Sequence, residues 1–238
     1  MTQNTKKMGK FFTIKLLAVI LMALVLSACG GGAPRMVTES GVSDDGFGYT
    51  FTGYSVRGVW HGHGRIEWDD GGWFEGDWQE GERTGRGVEF GINDDGEGFT
   101  YTGDFVDGDW HGTGRIEWDN GGWFEGDWQN GERTGRGTEF GIGDGEEFTY
   151  TGDFVDGYWH GTGRIEWGDG GWFEGDWQEG ERTGRGTERG FFDDEGFEDW
   201  WTYEGEFMDG LFHGQGRKTF DDGEVWEGLF EHDFFMEY

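Results

Sequence analysis

Cysteine and proline are almost missing from this sequence of 238 residues, which holds one of each. A single cysteine cannot form a disulfide within the chain, so a disulfide-stapled scaffold and a multi-cysteine metal site are excluded. Serine and lysine are also scarce, because residues 49–238 contain only Ser55 and Lys218. A serine nucleophile with its base, or a Schiff-base lysine, needs groups that this region hardly offers. We therefore predict that the protein is not an enzyme and needs no cofactor.

Positive charge is the next shortage. The sequence has 18 Lys and Arg against 50 Asp and Glu, which gives a formal net charge of −32. Residues 1–28 carry four of the Lys and no acid, so the rest of the chain is still more acidic. Charge of this sign disfavours binding to nucleic acid or to an anionic membrane through bulk electrostatics. We expect no nucleic-acid partner.

Aliphatic side chains are few, whereas aromatic residues make up 18% of the sequence and glycine contributes 52 residues. High net charge with low hydrophobicity usually indicates disorder. Aromatic rings nevertheless bury large areas when aliphatic residues are scarce. The composition predicts a core built from aromatic rings and glycine backbone.

The first thirty residues are typical of an export signal. A Lys-rich start is followed by an apolar run from Leu16 to Leu26, too short for a stable membrane span. The next residues, Ser27-Ala28-Cys29-Gly30, resemble a bacterial lipobox, whose cysteine is lipidated and becomes the mature N-terminus. The alternative is an ordinary secretory signal that ends near a cysteine.

Three domains follow from this interpretation: a lipoprotein signal peptide at 1–28, the lipidated Cys29 with a flexible tether at 29–48, and a repeat array at 49–238. The resemblance implies a lipid-anchored protein of the bacterial cell envelope. Gly30 after the cysteine favours the outer membrane, or the outer face of the cytoplasmic membrane if the cell has only one membrane.

Residues 49–238 repeat with a period of 49. The segments 101–141 and 150–190 differ at only five positions, and 51–91 is a third copy at an offset of 50. Each long unit contains two related halves, the first opening Tyr101-Thr102-Gly103 and the second opening Phe124-Glu125-Gly126. Apolar residues alternate with polar ones, and Asp-Gly or Asn-Gly turns join the segments. The pattern predicts an all-β solenoid of antiparallel hairpins with no helix.

The short unit resembles the MORN repeat, an aromatic-x-Gly-x-aromatic strand followed by Gly and His-Gly-x-Gly over about 23 residues. Seven copies match, and a partial eighth begins at Trp226. The resemblance implies a single-layer sheet in which two residue types are structural. The first type is the strand glycine, at Gly53, Gly76, Gly103, Gly126, Gly152, Gly175 and Gly205. The second is the histidine at His61, His111, His160 and His213, which we expect to bond local backbone in the hairpin loop.

The even-numbered copies depart from this pattern in three ways. They have Thr84, Thr134 and Thr183 in place of the histidine. In an even-numbered copy, Phe90 lies three residues after Gly87, whereas in an odd-numbered copy Trp118 lies four residues after Gly114. We therefore expect a bulge or register change in the return strands of the even-numbered copies. They also carry acidic segments, predicted to be loops, at 91–100, 141–149 and 190–202.

The equivalent histidines lie two hairpins, or about 19 Å, apart at the usual strand spacing, so they cannot share a metal ion. The acidic clusters Asp94-Asp95, Asp193-Asp194-Glu195 and Asp221-Asp222 match no calcium-loop pattern. We predict no specific metal site.

Two sets of residues recur on what we expect to be the outward face. The arginines at 65, 115 and 164, and those at 86, 136 and 185, are interpreted as ladders that relieve acid repulsion. Trp73, Trp123 and Trp172 form an outward series that could bind a partner or could be covered by neighbouring side chains.

The resemblance implies a scaffold or protein-interaction module whose membrane contact is the N-terminal lipid. Phosphoinositide binding has been suggested for the family, and the negative charge disfavours it here. The alternative is a module that binds a cell-wall glycan through the tryptophan series.

Overall fold

A computed structural model of the chain describes residues 32–43, 46–93, 96–143, 145–194 and 197–237, without the side chains of 192–199. The predicted signal peptide and Cys29 therefore lie outside the described residues. The acidic pair at 94–95 and residue 195 of the cluster at 193–195 also lie outside them. All regular structure in the described segments is β-strand, and no helix there could span a bilayer. The predicted all-β class is confirmed.

The chain divides into two compact units. The described residues of the N-terminal unit fall in the ranges 8–121 and 127–132. Those of the C-terminal unit fall in the ranges 122–126 and 133–238. In the N-terminal unit, each strand pairs antiparallel with the next one along the chain. Its strands are β1 (Arg35–Val42), β2 (Gly48–Val56), β3 (Val59–Trp68), β4 (Trp73–Gln79), β5 (Glu82–Ile92), β6 (Gly98–Val106) and β7 (Asp109–Trp118).

The C-terminal unit has the same hairpin succession from β9 onwards. Strand β8 (Trp123–Gln129) has residues in both units. The remaining strands are β9 (Glu132–Gly143), β10 (Glu146–Val155), β11 (Tyr158–Trp167), β12 (Trp172–Gln178), β13 (Glu181–Asp194), β14 (Phe197–Met208), β15 (Leu211–Phe220), β16 (Val225–Glu231) and the two-residue β17 (Phe234–Phe235).

One face of each sheet carries the core, which we call the aromatic face. Tyr101 is fully buried, stacks on Trp110 at 4.3 Å between ring centres, and meets the edge of Trp128 at 5.3 Å. Its ring lies across two paired glycines, since a Cβ atom on Gly103 would come within 2.6 Å of Tyr101 Cζ. The glycine pair Gly103 and Gly114, which recurs in the other hairpins, thus leaves room for an aromatic ring directly over the backbone.

The first glycine of His-Gly-x-Gly has a different task. Gly112 has a φ of 58°, and the register shifts beside it, between Gly103 and Asp104 of the partner strand. The left-handed conformation suits glycine, which has no Cβ to clash. The same shift occurs between Gly76 and Asp77 in an even-numbered copy. The even-numbered copies therefore have a bulge, as expected, but the odd-numbered copies share it, so the bulge does not distinguish the two kinds of hairpin.

The acidic segments predicted as loops are mostly strand. Strand β5 continues to Ile92 and β6 begins at Gly98, with Gly91 opposite Phe99. A Cβ atom on Gly91 would lie 2.6 Å from Phe99 Cζ, so this extension repeats the ring-over-glycine contact. The segments 141–149 and 190–202 extend their hairpins in the same way.

The tether predicted for 29–48 is also wrong over Arg35–Val42, because these residues form β1 and pair along the full length of the strand with β2. Glu39 of β1 lies opposite Phe51 and accepts a hydrogen bond from the Trp60 indole at 3.2 Å. Strand β1 thus covers the start of the first hairpin.

Candidate interaction face

The sheet face opposite the aromatic face, which we call the polar face, carries the predicted tryptophan series. Trp73 precedes the buried Phe74 in β4 and is itself half-buried. The guanidinium carbon of Arg65 lies 4.2 Å from the centre of the Trp73 ring, and Phe90 packs beside it at 6.4 Å. Placement on the outward side agrees with the alternation, but neighbouring side chains cover much of the ring.

Trp123 and Trp172 occupy the same positions in the C-terminal unit. Trp123 is half-buried and packs with Phe140 at 6.3 Å. Trp172 lies under Arg164 at 4.2 Å, and Arg189 stands opposite it where the other copies have phenylalanine. The arginine–tryptophan contact therefore recurs with the same geometry in both units.

The first arginine ladder binds carboxylates beside these rings. Arg65 donates to Glu67 at 2.8 Å and to Glu75 at 3.1 Å. Burial alone lowers the pKa of Arg65, but these hydrogen bonds outweigh it and raise the pKa above its ordinary value. Arg164 has the same two partners in its copy, Glu166 and Glu174.

The second ladder pairs across neighbouring strands. Arg86 Nε lies 3.4 Å from Asp104, and Arg136 Nε lies 3.2 Å from Asp153. A backbone hydrogen bond from Thr162, together with Arg136, lowers the pKa of Asp153. The interpretation of both ladders as relief of acid repulsion agrees with these contacts.

A shallow groove of about 1060 Å³ opens on the polar face of the C-terminal unit. Trp123 and Trp172 stand among its lining residues, and short side chains such as Thr138 and Thr151 form part of its floor. The two threonine hydroxyls lie 3.1 Å apart and bond each other. The groove offers hydroxyl groups and aromatic walls.

Sequence reasoning missed buried ion pairs on the aromatic face. Arg83 binds Glu89 at 2.6 Å and donates to Gly108 O, also at 2.6 Å. The Trp110 indole donates to the other Glu89 oxygen at 2.7 Å. Arg133, Glu139 and Trp159 repeat this arrangement in the C-terminal unit.

A signal for these pairs was present in the sequence. Aligning the two halves of a long unit places Arg133 where the first half has Trp110, and Glu139 where it has Ile116. An arginine and a glutamate that replace two core residues together indicate a buried pair.

The histidines lie beside the bulge and not in the hairpin loop. His111 is opposite Asp104, His160 is opposite Asp153, and His213 is opposite Glu206. The Nδ1 atoms of His111 and His213 are buried without a hydrogen-bond partner in the described part of the chain. At these two positions the Nδ1 atom therefore does not make the predicted hydrogen bond to local backbone. Within the described ranges, no group of three or more His, Cys, Asp or Glu could hold a metal ion.

The repeats match a known family. A family model described as MORN repeat matches residues 51–73, 74–95, 101–123, 124–144, 150–172, 173–190 and 203–225. These seven segments agree with the seven copies expected from the sequence. A comparison with curated proteins gives no match.

Proposed function

Because this chain belongs to the MORN repeat family, we propose that it is a non-enzymatic interaction module, anchored to the bacterial cell envelope by lipid at Cys29, that binds a protein partner. Such repeats generally serve as binding modules and not as catalytic domains, and they suggest a protein or membrane interaction role. The scaffold role, the anchor and the envelope location are parts of the proposal.

One observation supports a protein partner. The polar face presents the same tryptophan, arginine and carboxylate set in both units, with Arg65 over Trp73 and Arg164 over Trp172 at an equal 4.2 Å. Repeat proteins use such recurring surfaces to bind extended partners. Tryptophan and arginine are also the side chains most enriched at the centres of protein interfaces.

A glycan-binding module is the alternative, and the groove in the C-terminal unit favours it. Threonine hydroxyls can bond sugar hydroxyls, and tryptophan rings can stack on sugar faces. The alternative ranks second because Arg164 already covers one side of the Trp172 ring.

The test is site-specific cross-linking in native envelopes. A photo-reactive residue would replace Glu67, Glu117 or Glu166, whose side chains are about 60% exposed on the polar face. Controls would carry it at Val106 or Val155, each 45% exposed, which lie at the turn ends of β6 and β10, away from the tryptophan series. We expect the three glutamate positions to capture the same protein and the controls to miss it.

Other outcomes separate the alternatives. Binding to wall polysaccharide that is lost on Trp123→Ala and Trp172→Ala, without a captured protein, would favour the glycan module. Lipid labelling that persists in Cys29→Ser would refute the anchor, whereas a soluble or uncleaved form of that variant is the expected result.

A further inference from the structure

The turn end of the first hairpin differs from the later copies. In the β6–β7 hairpin this end carries three acids, Asp104, Asp107 and Asp109. The β2–β3 hairpin has Tyr54, Arg57 and Val59 at the same positions. The third and fourth hairpins of this type keep two acids each, at 153 and 156 and at 206 and 209. The first copy is thus distinguished by apolar and basic groups where the others are acidic.

Strand β1 extends this difference. Met36 lies opposite Tyr54, at the register position where Arg86 pairs with Asp104 in the next hairpin. An apolar pair therefore replaces an ion pair. Met36 is 63% exposed, Tyr54 42% and Val59 39%. Together with the exposed Arg57 in the turn between β2 and β3, these residues form a patch that we call the anchor-end patch.

The patch lies close to the proposed lipid site. A Cβ atom on Gly32 would lie 3.3 Å from Arg57 Cγ, so the chain at Gly32 packs against the patch. Gly32 lies three positions after Cys29 in the sequence, and three positions span at most about 11 Å. A lipid on Cys29 would therefore bring the patch to the bilayer surface.

We propose that the anchor-end patch rests on the headgroups of an anionic bilayer and fixes how the array is oriented on the membrane. The proposal rests on the lipid anchor proposed above. Exposed apolar side chains enter the interfacial layer. Each arginine near an anionic surface strengthens partitioning about fivefold. The acids elsewhere in the chain are repelled by the same surface, so contact is restricted to the patch.

The contact is a property of this one hairpin and not of the repeat motif. The later copies place charged pairs at the corresponding positions, as Arg86–Asp104 and Arg136–Asp153 show. A membrane contact made by the repeat motif itself would include all copies.

Hydroxyl-radical footprinting tests the proposal, because Met36 and Tyr54 are reactive side chains that report solvent access. The mature chain would be coupled through Cys29, its only cysteine, to a maleimide lipid in vesicles that contain phosphatidylglycerol. We expect Met36 and Tyr54 to be oxidised at least fivefold more slowly than in the uncoupled chain. Met208, which is 38% exposed at the turn end of β14, should be unaffected.

A matched variant keeps both reporters. Arg57→Asp with Val59→Asp gives the first hairpin the acids that Asp107 and Asp109 provide in the β6–β7 hairpin, which shows that they fit the fold. This double variant should abolish the protection. The control, Asp107→Arg with Asp109→Val, should leave it unchanged. Equal oxidation of Met36 with and without vesicles, or protection that survives the acidic variant, would overturn the proposal. Equal protection of Met208 would do the same.

The coupling also separates this inference from the anchor itself. If the protein made in cells carries no lipid at Cys29, the proposed anchor fails, while the coupled chain still reports whether the patch binds.

Discussion

Glu188 is buried on the aromatic face, and its surroundings show how two substitutions compensate each other. In the earlier copies the equivalent carboxylate accepts a hydrogen bond from a tryptophan indole, as Glu139 does from Trp159. Here Phe212 stands in the tryptophan position and cannot donate. Lys218 stands where the other odd-numbered copies have isoleucine, and it attracts Glu188 electrostatically. Burial raises the pKa of Glu188 and lowers that of Lys218, so each charge depends on its partners.

This compensation predicts a rescue. Lys218→Ile should destabilise the fold by about 1–3 kcal/mol, because the buried carboxylate loses one of its two cationic neighbours. Adding Phe212→Trp restores the arrangement of the other copies and should recover most of the loss. Urea unfolding of the two single variants and the double variant measures the coupling. A double variant no more stable than Lys218→Ile would contradict this explanation.

Three tyrosines on the aromatic face predict a limit at alkaline pH. Burial, helped by nearby carboxylates, raises the pKa of Tyr203 to about 12 and also raises those of Tyr101 and Tyr150. The folded state then keeps protons that the unfolded state loses. Stability from these groups is present below pH 10 and is lost as the pH rises through their folded values.

Phenylalanine at all three tyrosine positions should remove this loss, and Phe51 already fills the same place in the first copy. At pH 9 the triple variant should be less stable by about 1 kcal/mol per missing hydroxyl, since each donates to a backbone carbonyl. Between pH 10 and 11.5 the free energy of unfolding should fall less steeply in the variant than in the parent. Equal slopes would show that these tyrosines do not set the limit.

At the scale of the element, the hairpin depends on a ring lying over bare backbone. A Cβ atom on Gly163 would overlap the Tyr150 ring, which is fully buried and cannot move outward. Gly163→Ala should therefore destabilise the fold by about 1–3 kcal/mol, as overpacking does. Gly168→Ala is the matched control, because its nearest neighbours lie at least 3.5 Å away and the second copy has Asp119 there. Thermal melts that fall equally for both variants would refute the special role of the strand glycine.

The strands in which apolar and polar residues alternate strictly were predictable. The hairpins and the outward placement of the tryptophans follow from that alternation, and the turns follow from the Gly-rich segments between the strands. Strand β1 was missed because Glu39, Gly41 and Gly46 match Glu89, Gly91 and Gly96 only when compared at an offset of 50. Without an aromatic-x-Gly-x-aromatic segment, the stretch has the composition of a tether. The buried Arg83–Glu89 pair was missed for a related reason, since charged residues are assigned outward by default.

At the scale of the whole molecule, the strands are joined neighbour to neighbour. Strands β1 to β7 pair in chain order in the N-terminal unit, and strands β9 to β17 pair in chain order in the C-terminal unit, so each hairpin bonds only its neighbours along the chain. Stability should then be roughly a sum of block and interface contributions. Removing one period should shorten the array without exposing a core.

Deletion of residues 101–149 tests this most directly, because it joins Thr100 to Tyr150 and recreates the Thr-Tyr junction of the parent. Deletion of 101–148 is the control, since its one extra residue moves the following side chains to the wrong face. In urea unfolding followed by circular dichroism, we predict a cooperative transition for the 101–149 deletion, with a denaturant slope lower by roughly a quarter. The control should lose this transition or shift it to much lower urea. An unfolded 101–149 deletion, or two deletions of equal stability, would contradict the repeat account.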